Sequence, residues 1–276
     1  MPLNRFILNH YINYILTFYI KLIFVKFARG KILKFKTELD VLFFAAHPDD
    51  AELCCGGTIA ALINAGKKTG IIDLTRGELG TRGTVRQRKL EAKKASEILG
   101  ISLRKNLGIP DGNIANNPAN RLKIIKVIRK YRPKILFFPH HIDRHPDHYN
   151  THYLIKDASF YAGLEKIKTP GQKAYRAKRN ICYMQTYAFE PNIIFDISDT
   201  FTTKMKAIKC FSTQFHTGSI KSSKSPETFI SSKAFMDYIE ARSKFYGFQV
   251  GAAYGEAFYT EEKIKFDSNT LFNITV

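Results

Sequence analysis

The strongest constraint on this chain is an alternation of short, nearly unbroken apolar runs with longer stretches of helical spacing. Leu39 to Ala46, Thr69 to Leu74 and Lys134 to Pro139 are apolar almost throughout, as expected of strands buried on both faces. Between them the spacing predicts helices. One opens at Gly56-Gly57-Thr58 and runs to Ala65, with Gly66 as its stop. A second covers Thr84 to Leu99, with Thr84 as N-cap and Gly100 as terminator. Two more are predicted over Arg121 to Tyr131, ending before Arg132-Pro133, and over His148 to Tyr161. Ile101 to Leu107 reads as a weaker strand. Beyond residue 165 the pattern loosens to two strands within 180–197 and helices over 199–211 and 231–247. This order predicts an α/β, Rossmann-like fold: a mostly parallel, doubly wound sheet with helices on both faces.

In such sheets ligands sit beyond the carboxyl ends of the strands. Two polar clusters begin where apolar strands end: Ala46-His47-Pro48-Asp49-Asp50-Ala51-Glu52 and His141-Ile142-Asp143-Arg144-His145-Pro146-Asp147-His148. They therefore share one rim. Of eight histidines, four fall within 140–148 and one in the first cluster, a concentration that incidental loop histidines would rarely reach. Imidazole and carboxylate together suit zinc, and a catalytic zinc keeps three protein ligands and one open position. His47 and Asp50 supply two ligands on one loop. A histidine of the second loop, His145 or His148, would complete the set. Prolines after His47 and His145 stiffen both loops. Gly77, Gly80 and Gly83 make a loop able to cover the cleft. Gly56-Gly57 lacks the lysine or glycine pattern of a phosphate cradle.

A net charge of +19 first suggests nucleic acid or a membrane surface. Its distribution argues otherwise. Residues 1–38 hold seven basic residues and one acid, six of the nineteen charges, and the rest spreads over solvated helix faces. No basic stripe interleaved with aromatics supports nucleic acid binding. A non-catalytic basic protein that binds nucleic acid or a membrane surface is the reading from another class. A positive field equally steers a small anionic substrate to a cleft. The four cysteines form no disulfide framework, which fits a reducing, cytoplasmic setting. Cys54 and Cys55 are adjacent, poor geometry for holding one metal.

Residues 1–38 are an apolar, basic extension. Tyr11 to Val25 is shorter than a membrane span and interrupted by Asn13, Thr17 and Lys21. It reads as a segment lying on a membrane surface, as a weak signal anchor, or as translated sequence upstream of the true start. Any membrane contact would run through it. Residues 39–265 form the catalytic domain and 266–276 a tail. Homo-oligomer formation is compatible with the sequence.

The two clusters, with Gly56-Gly57-Thr58, resemble the LmbE-like, PIG-L superfamily of zinc N-acetylglucosamine deacetylases over roughly residues 39–260. Leu74-Thr-Arg-Gly77-Glu-Leu-Gly-Thr-Arg-Gly83-Thr84, Asn106-Leu-Gly-Ile-Pro-Asp-Gly112, Ser225-Pro-Glu-Thr228 and Gly251 to Phe258 look like the branch that acts in bacillithiol biosynthesis. The resemblance implies zinc on His47, Asp50 and His148, with Asp49 as general base. It further implies that His145 supports the developing oxyanion, that Asp147 orients His145 or a neighbouring ligand, and that Arg88 and Arg144 line the substrate cleft. The implied substrate is an N-acetylglucosamine conjugate with an anionic malate aglycone; the alternative within the same chemistry is a deacetylase or amidase for another N-acetyl sugar conjugate. The extension and His140-His141 depart from the family pattern.

Overall fold

The computed structural model describes residues 38–217, 226–263, 265 and 267. The reading of residues 1–38 therefore lies outside the described residues, Glu38 excepted, as does nearly all of the 266–276 tail. The elements are β1 (Val41–Ala45), α1 (Asp50–Asn64), β2 (Thr69–Asp73), α2 (Val85–Leu99), β3 (Leu103–Asn106), α3 (Pro118–Tyr131), β4 (Ile135–Pro139) and α4 (Pro146–Ala162). They continue with β5 (Arg179–Tyr183), β6 (Ile193–Asp196), α5 (Phe201–Lys209), α6 (Lys233–Phe248) and β7 (Gly255–Tyr259). Among the described residues the strands make one seven-stranded sheet, ordered β3-β2-β1-β4-β5-β7-β6. The first five are parallel, and β7 runs antiparallel between β5 and β6. The expected parallel, doubly wound sheet is present, with an added antiparallel edge.

Period-two alternation sends successive β1 residues to opposite faces, which is why the strand reads apolar throughout. Val41, Phe43 and Ala45 pack with Cys55 and Ile59 of α1, Ala95 of α2 and Ile208 of α5. Leu42 and Phe44 pack with Ile124 and Ile128 of α3 and Leu154 and Ile155 of α4. Thus β1 leads to a helix on one face and β4 to a helix on the other. The rim between these neighbouring strands is the crevice where this topology binds ligands.

Three element boundaries differ from expectation. Helix α1 begins at Asp50 rather than Gly56, so Asp50 and Glu52 lie in its first turn. Helices α3 and α4 start earlier, each with proline in the first turn, where its missing N–H costs nothing. Strand β7 was not expected, because Gly255 and Glu256 break the apolar signal. Glu256 has another task. Its carboxylate accepts hydrogen bonds from the Gly57 and Thr58 amides at 3.0 and 2.8 Å and from the Thr58 hydroxyl at 2.6 Å. Lys204 donates to it at 2.7 Å, and both partners are almost wholly buried. A side chain at Gly57 would meet Ile197 at 2.7 Å, so glycine is what admits this close packing. Among the described residues, no helix is long and apolar enough to cross a membrane.

Candidate metal centre

The first cluster leaves β1 and enters α1 through a strained turn. Asp49, the residue before the helix, has φ 137°, a conformation rarely adopted by a residue with a side chain, and its carboxylate makes no cap. This turn directs Asp49 and Asp50 to different neighbours. Asp50 Oδ2 accepts from the His47 amide at 2.8 Å and lies 3.5 Å from His47 Nδ1. Asp50 Oδ1 lies 3.4 Å from Nε2 of His148, in the first turn of α4. His47, Asp50 and His148 thus bring ligand atoms within 4.8 Å of one another. Ligands at about 2.0–2.1 Å on a tetrahedral metal stand roughly 3.4 Å apart, so three donors gathered this closely could share one ion.

Each imidazole has its far nitrogen against a carboxylate. His148 Nδ1 lies 2.7 Å from Asp143 Oδ1, and His47 Nε2 lies 3.0 Å from Asp111 Oδ1 and 3.3 Å from Asp147 Oδ2. A carboxylate behind a ligating histidine fixes its tautomer and aim. Asp143 is itself anchored, accepting from the His145 amide at 3.0 Å and the Thr186 amide at 2.7 Å. Burial opposes charge on both imidazoles, but these carboxylates and Asp50 together raise the pKa of each. Asp50 and Asp143 are held below the usual range, burial notwithstanding, chiefly by His148.

A second grouping, His47 with His145 and Asp147, also brings ligand atoms within 4.8 Å. Its members are already engaged. Asp147 accepts from the Gly112 amide at 2.8 Å and the Ile114 amide at 3.4 Å. His145 caps α4, its Nδ1 accepting from the Asp147 amide at 3.2 Å. With Nδ1 as acceptor, a neutral ring presents Nε2–H as donor. Burial and the neighbouring His47 and His148 lower the His145 pKa.

Asp49 is 5% exposed and faces Arg88 Nη2 at 3.4 Å. Burial pushes its carboxyl up to about 7, against the pull of Arg88 and with a further push from Asp50. Arg88 is also buried. It donates to Gln214, and a side chain at Gly77, which has φ 67°, would collide with its guanidinium. Arg88 is therefore occupied with Asp49 rather than standing free in the cleft. Arg144 is exposed, stacks on the Phe229 ring at 4.7 Å and pairs with no carboxylate among the described residues.

All eight residues anticipated from the sequence lie at one rim, and seven, all but the buried Asp147, line a cavity of about 440 Å³. Its wall adds Asp111, Gln185, Gln214, Phe215 and Phe229. The roles of Asp111 and Asp143 behind the histidines were not anticipated. Asp111 follows β3 as Asp143 follows β4, so the strand-end rule that marked the two clusters marks these carboxylates also. Glu52, the last acid of the first cluster, turns away from the cavity and pairs with Arg104, which also binds Asp73 at 2.8 and 2.9 Å.

Comparison with known proteins agrees with the fold and with N-deacetylase activity. The PIG-L family profile, described as GlcNAc-PI de-N-acetylase, matches residues 42–159. A diacetylchitobiose deacetylase of Thermococcus kodakarensis is 32% identical over 186 residues, 63% of this chain and 70% of its own. A probable N-acetyl-alpha-D-glucosaminyl L-malate deacetylase 2 of Bacillus anthracis is 27% identical over 199 residues, 66% of this chain and 84% of its own. The crystal structure of a conserved protein from Thermus thermophilus superposes with a TM-score of 0.75 at 36% identity, covering 83% of this chain and 98% of that one. The chain belongs to the PIG-L family and is a hydrolytic N-deacetylase.

Proposed function

We propose that the chain removes the acetyl group from an N-acetylglucosamine conjugate, with zinc held by His47, Asp50 and His148. The observation that carries this reading is the convergence of His47 Nδ1 and His148 Nε2 on Asp50, at 3.5 and 3.4 Å, with Asp49 beside them. Two imidazoles and a carboxylate are a zinc-type donor set, and a bound zinc ion supplies Lewis acidity and acidifies water. Asp49 takes the proton of the attacking water and returns it to the departing amine, a task suited to a carboxyl titrating near neutrality. His145 offers its Nε2–H to the oxygen on which charge develops. Asp147 and Asp111 orient His47, and Arg88 holds Asp49 in place.

We read the aglycone as malate, in bacillithiol biosynthesis. The exposed Arg144 guanidinium at the cavity edge is free for a carboxylate, which it can bind bidentately. A chitobiose-type disaccharide is the second reading, favoured by the exposed Phe229 ring on which a second sugar could stack and by the similarity to the Thermococcus enzyme. Metal analysis of the purified chain, followed by acetate release from N-acetylglucosaminyl malate and diacetylchitobiose, separates them. Faster turnover of the malate conjugate supports the first, and failure to release acetate from either contradicts the proposal.

A further inference from the structure

The glycine loop that follows β2 is fastened to the loop that follows β3 by a reciprocal pair of hydrogen bonds. Glu78 Oε1 accepts from the Asp111 amide at 3.1 Å, and Asp111 Oδ2 accepts from the Leu79 amide at 2.9 Å. Each acidic side chain thus binds the backbone of the other loop. The second oxygen of Glu78 accepts from the Arg76 amide at 3.1 Å, which folds the carboxylate back onto its own loop. The Arg76 bond is local, whereas Asp111 stands 33 positions away, so that contact belongs to the tertiary structure. Leu79 also covers Gly112, where an added Cβ would stand 2.9 Å from Leu79 Cδ1.

The other oxygen of Asp111, Oδ1, lies 3.0 Å from His47 Nε2 and accepts from the Gly112 amide at 3.1 Å. Both oxygens belong to one planar group, so a rotation that moves Oδ2 away from the Leu79 amide also moves Oδ1 relative to His47. The aim of His47 is therefore set partly from the glycine loop. Glu78 is exposed and lies outside the donor set, yet it holds the backbone of the residue that stands behind His47. Partners behind a metal-ligating histidine govern its orientation and the affinity of its site.

We infer that Glu78 is a positioning residue for the metal centre: by holding the Asp111 amide it fixes the carboxylate that aims His47. Metal affinity then depends on a residue of the loop whose Gly77, Leu79 and Gly80 line the cavity. This rests on the reading of His47 as a metal ligand and deepens it.

The test is a double-mutant cycle on zinc affinity, measured by chelator competition, with Glu78→Ala, Asp111→Asn and the two combined. Glu78→Ala should weaken zinc binding by about threefold to tenfold with Tm maintained. In the Asp111→Asn background the same change should cost less than about twofold, because the group it acts through is already altered. Glu78→Gln, which keeps one acceptor oxygen, should fall between wild type and Glu78→Ala. An independent reading comes from the ring N–H proton of His47 in the zinc-loaded chain. It should move upfield in Glu78→Ala as the hydrogen bond to Asp111 loosens. Unchanged affinity or an unmoved proton in Glu78→Ala overturns the inference. So does an equal loss in both backgrounds, which marks Glu78 as acting apart from Asp111. These results leave the metal site in place, whereas a wild-type chain that binds no zinc removes both.

Discussion

Asp143 and His148 form an orienting pair: Oδ1 of the carboxylate lies 2.7 Å from Nδ1 of the imidazole, leaving Nε2 aimed at Asp50. They stand five positions apart in sequence, one in the loop that leaves β4 and the other in the first turn of α4. The same relation recurs on the other side, where Asp111 stands behind His47 at 3.0 Å. Two loops that share no sequence neighbourhood thus present their histidines in fixed tautomers.

Asp143→Asn should weaken metal binding by about tenfold to a hundredfold while the chain stays folded. Competition with a chelator of known affinity measures this. Unchanged affinity would show that His148 needs no orienting partner.

Asp49→Asn should keep the metal and lose about a hundredfold to ten-thousandfold in acetate release. Its acid limb carries a sign. The base acts deprotonated, burial places it at about 7, and a nearby dication pulls that value down. In the wild type kcat/KM therefore falls as pH drops below about 7 or somewhat lower. A variant with wild-type turnover would remove Asp49 from the proton transfer.

Arg104 bridges Glu52 and Asp73, both buried. Arg104→Met leaves two carboxylates without their cation and should cost about 3–5 kcal/mol. Thermal or urea unfolding reads this directly. A shift within experimental error would mean that this buried network contributes nothing to holding α1 against the sheet.

His140 and His152 pack against each other with ring centroids 6.0 Å apart, and burial lowers both to about 4. They are neutral in the fold but charge near 6.5 when unfolded. Their contribution is thus complete above about 6.5 and is lost as pH falls toward about 4. His152→Gln should flatten the loss of stability over that window, as followed by Tm against pH. An unchanged slope would exclude His152 from acid destabilisation.

The sheet and the rim were legible because β1, β2 and β4 are buried on both faces, which writes an unbroken apolar run into the sequence. Helix starts were less so. Helices α1 and α4 begin at Asp50 and Pro146, inside the two polar clusters of the site, where chemistry rather than apolar spacing chose the side chains. Strand β7 was hidden for a related reason, since Glu256 within it is spent on the amides of α1. Among the site residues, His47 and Asp50 announce themselves as donors with a histidine of the second loop, and only the family resemblance singles out His148 over His145. Asp111 does not announce itself, because an isolated polar residue after a strand gains meaning only once the strands are ordered.

The central claim is that one ion joins His47 and His148, and zinc titration of the metal-free chain with acetate release followed in parallel tests it most directly. One equivalent of zinc should bind, activity should rise in step with occupancy, and His47→Ala or His148→Ala should abolish both together. Full activity after complete metal removal, or undiminished zinc binding in either variant, would contradict the account.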